Sequence, residues 1–179
     1  MSAAPRSEWE LLLSTLAPAS GDRILDVGAG KGAIAARVHQ ASKGAEVYAV
    51  DPNAEKIASM KRNFPMVKGS VAGAESLPYS DGFFDKVYTT MALHHYADLD
   101  KALGEVARVL KHEGSFIVLE VDPKSGKGRL FKFFGRLTGE HMNLMGEDQL
   151  ATRLGASEGF SVERTAKVGS GYIIQLRHP

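Results

Sequence analysis

The sequence predicts an α/β fold, an open and mostly parallel sheet with helices on both faces, finished by an antiparallel hairpin. Three observations predict it. Short apolar runs alternate with amphipathic helical patterns along most of the chain. That order requires right-handed crossovers and leaves helices on both sides of the sheet. A glycine-rich turn, Gly28-Ala29-Gly30-Lys31-Gly32, separates the first apolar run from the helix after it. Finally, the runs Phe160 to Val168 and Tyr172 to Arg177 are joined only by Gly169-Ser170-Gly171. A link that short forces its two strands antiparallel.

The elements follow in order. Ser7 to Leu16 places Trp9, Leu12, Leu13 and Leu16 at helical spacing, an opening amphipathic helix within the segment 1–20. Arg23 to Val27 is the first strand and Ala33 to Ala41 the first crossover helix. Glu46 to Val50 ends at Asp51-Pro52 as the second strand, and Ile57, Met60 and Phe64 mark the next helix. Met66 to Val71 and Phe83 to Met91 read as strands three and four. Asp98 or Asp100 caps a helix with the stripe Leu103, Val106, Ala107 and Leu110, and Gly114 is placed to end it. Ser115 to Val121 is nearly all apolar, as expected of a strand covered on both faces.

Composition removes several function classes. The 179 residues suit one domain, and 44% hydrophobic with 24% charged residues is globular. With 22 basic and 21 acidic side chains the net charge is +1, which does not indicate a sequence-specific nucleic-acid binder. No apolar run approaches the roughly 20 residues that cross a bilayer, and MSAAPRSEWE carries no apolar signal core. Zero cysteines exclude disulfides, thiolate metal sites and a cysteine nucleophile. The expectation is a soluble, cytoplasmic, single-domain protein.

The chemistry starts at the glycine turn. Glycines let the backbone turn tightly and let a ligand approach closely, and the helix start adds partial positive charge. Asp51 closes the second strand about 20 residues on, where a carboxylate can accept both hydroxyls of a ribose. Together these describe a site for a ribose-bearing ligand at the carboxyl ends of the strands. Gly28, Gly30 and Ala33 also satisfy the dinucleotide pattern, so a nicotinamide-dependent oxidoreductase is the competing enzyme. Two features oppose it. Asp26, two residues before the first glycine, suits an ammonium group better than a pyrophosphate. The antiparallel tail also replaces the second mononucleotide half.

The segments ILDVGAGKG (24–32), VYAVDPNAEKI (47–57), AESLPYSDGFFDKVY (74–88), ALHHYADLDKALGEVARVLKHEG (92–114) and GASEGF (155–160) carry a family resemblance. The chain resembles the class I S-adenosylmethionine-dependent methyltransferases, in the small-molecule (type 11) branch that includes the ubiquinone/menaquinone-biosynthesis enzymes. The resemblance implies a Rossmann-like, doubly wound, seven-stranded sheet with an antiparallel C-terminal strand. It implies that S-adenosylmethionine is held at its methionine end by Asp26 and the backbone of Gly28, Ala29 and Gly30, and at the ribose by Asp51, with Pro52 beside it. Ala74 and Glu75 would flank the adenine, Leu77 nearby, and Met91 would lie under the ligand. Two departures stand out. Gly73 replaces the usual acid of the adenine segment, so Glu75 or a backbone carbonyl must substitute. His112-Glu113-Gly114 stands where the family has proline-glycine-glycine.

Methyl transfer from an activated sulfonium needs mainly in-line approach and exclusion of water. The side chains placed to assist are His94, His95 and Tyr96, after strand four. One histidine positions or deprotonates the acceptor, or the pair braces the loop; the sequence supports both equally. His39, His112, His141 and His178 do not cluster with them, and no metal site follows. The sizeable insertion is 122–146. Its stretch Lys124 to Arg136 has five basic residues and no acid. Leu130, Phe133, Phe134 and Leu137 share one helical face, with Arg129, Lys132 and Arg136 largely on the other. The expected role is a lid packing its phenylalanines over the domain, with weak peripheral membrane contact through 124–137 as the alternative. The expected acceptor is a small, apolar or lipid-like molecule. A non-catalytic S-adenosylmethionine-binding module is the alternative from another class, and a homodimer could complete the lightly covered pocket.

Overall fold

The computed structural model describes residues 7–138, 144–157 and 159–179. Residues 1–6 of the opening segment and 139–143 of the insertion, with His141, lie outside the described residues, as do the side chains of Phe134 and Arg136.

Seven strands form one sheet in the order β3-β2-β1-β4-β5-β7-β6. They are β1 (Arg23–Val27), β2 (Glu46–Asp51), β3 (Lys68–Val71), β4 (Phe84–Thr90), β5 (Leu110–Val121), β6 (Ser161–Val168) and β7 (Gly171–Arg177). Strands β1 to β5 pair in parallel. Strand β7 runs antiparallel between β5 and β6, as the two-residue link Gly169-Ser170 demands. The helices are α1 (Glu8–Leu16), α2 (Ala33–Ala41), α3 (Ala54–Asn63), α4 (Leu99–Val109), α5 (Gly126–Thr138) and α6 (Glu147–Gly155).

Alternation along the strands divides the core between the two faces. Ile24, Tyr88, Ile117 and Ile173 pack with Leu12 and Leu16 of α1, Val38 of α2 and Met60 of α3. Leu25, Val87, Phe116 and Ile174 pack with Leu103 and Val106 of α4 and Leu154 of α6. Side-chain oxygens cap four helices at their starts: Ser7 for α1, Asn53 for α3, Asp98 for α4 and Ser125 for α5. Of the two aspartates offered by the sequence, Asp98 is therefore the cap.

Most boundaries move by a residue or two; the largest change is at the end of α4. Helix α4 stops at Val109, and Leu110 already begins β5 by pairing with Phe84. Gly114 is thus not a helix terminator. It lies within β5, where a Cβ would press on the Lys111 carbonyl at 2.7 Å. The register slips between Phe84 and Lys86, so the turn-forming residues Lys111 to Gly114 are absorbed as an irregularity in the strand.

Candidate functional site

The strand order reverses beside β1, whose neighbours are β2 and β4. A cleft of about 700 Å³ opens at their carboxyl ends, the switch-point position where open α/β sheets bind ligands. Its wall includes Gly28, Gly30, Asp51, Glu75, Met91 and His95.

The glycine turn forms this wall through close approach. Gly28 has φ +82°, and a Cβ there would stand 2.5 Å from the Cβ of Ala92. The amides of Gly28 and Ala29 donate to the Val50 carbonyl at 2.9 and 3.0 Å, which ties the turn to β2. At Gly30 a Cβ would meet nothing within 4 Å, so the turn faces open space there. Asp51 is buried at the end of β2 and held at both oxygens: Oδ2 accepts from the Gly30 amide and Oδ1 from the Asn53 amide, each at 2.9 Å. Lys56 Nζ stands 4.0 Å from Oδ2. A carboxylate has about four acceptor positions, so two backbone donors orient Asp51 without exhausting it.

Asp26 lies below this level. It is fully buried and does not line the cleft; its Oδ2 accepts from the Tyr88 hydroxyl at 3.0 Å, while Oδ1 has no hydrogen-bond partner. Burial pushes its carboxyl up to about 7 against the pull of Tyr88, and the charge of Asp51 adds to the rise.

The rim comes from the loop after β4. Met91 is at positive φ (+51°), and its amide donates to the Leu119 carbonyl at 2.9 Å. A left-handed conformation in a non-glycine residue costs energy and commonly marks a functional position. The 3-10 turn Leu93–His95 then separates the two histidines. His95 lines the cleft; His94 is buried, with Nδ1 2.9 Å from Glu120 Oε2, and Glu120 Oε1 accepts from the Leu93 amide at 2.9 Å. Tyr96 also lines the cleft, with its hydroxyl 3.0 Å from Thr89 Oγ1 and 3.3 Å from the Val27 carbonyl. Burial raises its phenol well above the ordinary range despite the Thr89 contact, with Asp26, Glu120 and Glu75 adding to the rise.

The structure therefore brings together Gly28, Gly30, Asp51, Pro52, Ala74, Glu75, Met91, His95 and Tyr96 around one cleft. Asp26, Ala29, Leu77 and His94 lie behind that wall. Leu77 is buried in the core beside α4 and its amide donates to Glu105 Oε2 at 2.7 Å. Glu75 is already engaged: Oε1 accepts from the amides of Ala97 and Asp98. Its other oxygen lies 3.0 Å from where a Cβ on Gly73 would stand. Sequence reasoning missed Asn53, Lys56 and Glu120. Glu120 carried a signal, as the one acid in the apolar run Phe116 to Val121; Lys56 carried none. Among the described residues, no group of three histidines or carboxylates could hold a metal ion.

Residues 25–118 match the family model described as a methyltransferase domain, which covers over half of the chain. The chain belongs to the methyltransferase-domain family. It is of the class I, S-adenosylmethionine-dependent kind, similar to the ubiquinone/menaquinone-biosynthesis enzymes. A demethylmenaquinone methyltransferase of Thermus thermophilus is 35% identical over 118 residues, 63% of this chain and 54% of the relative. The ubiquinone/menaquinone biosynthesis C-methyltransferase of Rickettsia felis is 34% identical over 122 residues, 63% of this chain and 49% of the relative. The chain thus spans about half the length of these curated relatives. The crystal structure of geranyl diphosphate C-methyltransferase from Streptomyces coelicolor, in complex with S-adenosyl-L-homocysteine, superposes with a TM-score of 0.78 at 16% identity. That superposition covers 96% of this chain and 75% of the other. At that identity the likeness speaks for the fold.

The residues in the cleft fit the family's cofactor. Behind the cleft wall, Oδ1 of Asp26 is a buried acceptor without a hydrogen bond, and such atoms are rare in native structures without a functional reason. The turn at Gly30 leaves room, and Asp51 is oriented for hydroxyl donors. The cleft volume lies within the roughly 300–1,000 Å³ of small-molecule and cofactor pockets.

Proposed function

We propose that this chain binds S-adenosylmethionine in the cleft and transfers its methyl group to a small, apolar or lipid-like acceptor. The observation that carries this reading is Asp51, a buried carboxylate locked at both oxygens by backbone amides at the lip of a glycine turn. In this reading Asp51 receives the ribose hydroxyls and Pro52 packs beside them. The backbone of Gly28 to Gly30 and Met91 bound the methionine portion, with Asp26 supplying negative charge from beneath. Ala74 and Glu75 border the adenine, and Leu77 backs them from the core. When bound, the cofactor supplies an already activated methyl group, so the chain needs to orient and dry the reaction more than to activate it.

His95 is placed to take a proton from an acceptor, because it lines the cleft. Tyr96 stays a neutral hydroxyl, since burial disfavours the phenolate, and it suits positioning rather than proton removal. His94 orients the turn from behind through Glu120. The apolar acceptor is supported by the names of the quinone-biosynthesis relatives and by Met91, Ala92 and Ala97 in the wall.

Calorimetry with S-adenosylmethionine and with NAD, followed by assay of S-adenosylhomocysteine release with a demethylated quinone, tests the reading. Micromolar binding of the methionine nucleoside and quinone-dependent release are expected. Binding of NAD alone would overturn it.

A further inference from the structure

We propose that α5 docks the protein on an anionic lipid surface. The expectation from sequence was that its apolar stripe would cover the domain, but the helix is rotated the other way. Leu130, Phe133 and Leu137 are 52%, 57% and 67% exposed, whereas Gly128 is buried. At about 100° per residue, Leu130 lies nearly opposite Gly128 on the helix. The cause is local: a Cβ on Gly128 would overlap the Asp122 carbonyl, so only the glycine side can press against the end of β5. The Ser125 hydroxyl fastens that contact, donating to the Asp122 carbonyl at 2.7 Å and accepting from the Gly128 amide at 3.0 Å.

What faces solvent is an apolar ridge spanning about 10 Å along the helix axis, bordered by cations. Lys127 flanks it on one side and Arg129 on the other, both exposed. From Lys124 to Arg136 there are five basic residues and no acid. Three large apolar residues in one stripe differ from apolar residues scattered singly over a surface, which need no partner. The charge selects the partner. A second copy of α5 would bring like charges together along the whole contact, which opposes association. An anionic bilayer neutralises the flanks and takes the ridge among its acyl chains. Helix α5 begins at Gly126, shortly after β5 ends at Val121, on the sheet edge where the cleft opens. Docking there sets the site beside the surface. The inference goes beyond the proposed activity and does not need it, because vesicle binding requires neither cofactor nor acceptor.

Sedimentation of the full chain with phosphatidylcholine vesicles, with and without phosphatidylglycerol, is the test. Retention is expected on the anionic vesicles only, and is expected to fall at high salt, where surface charges are screened. Arg129→Glu should weaken retention about twentyfold by reversing one flanking charge, and Phe133→Ser about tenfold by removing part of the ridge. Both variants should keep the wild-type thermal midpoint and S-adenosylmethionine affinity. Absence of retention at low salt would overturn the proposal, as would equal retention of both variants. So would a dimer that either substitution dissociates, with no binding to vesicles.

Discussion

In and behind the cleft wall, carboxylates and backbone are committed to one another. Asp51 accepts two amides, Glu75 accepts two, and Glu120 holds one amide and His94. Along α5 Leu130, Phe133 and Leu137 are exposed, while Gly128 is buried against Asp122. One region has its geometry set before any ligand arrives; the other presents surface whose use depends on what it meets. A substitution in the first should damage binding or folding, and one in the second should leave both alone. The largest effect is expected at Asp51. Asp51→Ala removes the acceptor for the ribose and strands the Gly30 and Asn53 amides, so S-adenosylmethionine affinity should fall about a thousandfold. Calorimetry measures it, and unchanged affinity would place the ribose elsewhere.

Gly28→Ala tests the same region through folding. The added methyl meets Ala92 Cβ at 2.5 Å and sits at φ +82°, and the two penalties together should cost about 3 kcal/mol. Denaturant unfolding would report it. Adding Ala92→Gly should recover the overlap but not the backbone cost. Full recovery would mean that the positive φ carries no strain.

How much of this was legible in the sequence depends on the range of the forces involved. The glycine turn, Asp51 and the antiparallel tail were readable because backbone sterics over a few residues determine them. The start of β5 was not. Gly114 resembles a helix terminator, yet the pairing of Leu110 with Phe84 ends α4 earlier, and that pairing joins residues far apart in the chain. The adjacent histidines were equally opaque. Which one reaches the cleft is decided by the turn at Leu93–His95 and by Glu120, 26 residues beyond His94. Asp26 was read as facing a ligand because of its place before the glycines. In the structure it is enclosed on all sides, between β2 and β4. Leu130, Phe133 and Leu137 share one helical face as expected, but the direction of that face depends on Gly128 and the Asp122 carbonyl.

Asp26 separates binding from stability within the cleft region, with an intermediate effect. Its folded-state pKa of about 7 lies above the ordinary value of 3.8. The folded state therefore holds the proton more tightly than the unfolded chain, and Asp26 erodes stability as pH rises from about 4 through about 7. Asp26→Asn should accordingly be more stable than wild type by up to a few kcal/mol near neutral pH, with the gain fading towards pH 4. A cationic ligand favours the carboxylate, so wild-type affinity for S-adenosylmethionine should rise between pH 5.5 and 7, while that of Asp26→Asn stays flat. Parallel pH profiles for the two proteins would show that Asp26 has no part in binding.

The smallest effect is expected on α5, and it bears most directly on the contrast. Leu137 is 67% exposed, so Leu137→Ser removes almost no packing and should shift stability by less than about 0.5 kcal/mol. Cofactor affinity should be unchanged as well, because no described residue of α5 lines the cleft. The same substitution on a lid closed over the site would behave differently: it would lower stability in the presence of cofactor and raise the apparent KM for an apolar acceptor. Measuring the thermal midpoint with and without S-adenosylmethionine distinguishes the two. A midpoint that falls only when cofactor is present means that α5 turns inward on binding, and the two regions then act as one site. A midpoint unchanged in both conditions leaves the ridge outward, where an external surface accounts for its exposed apolar side chains.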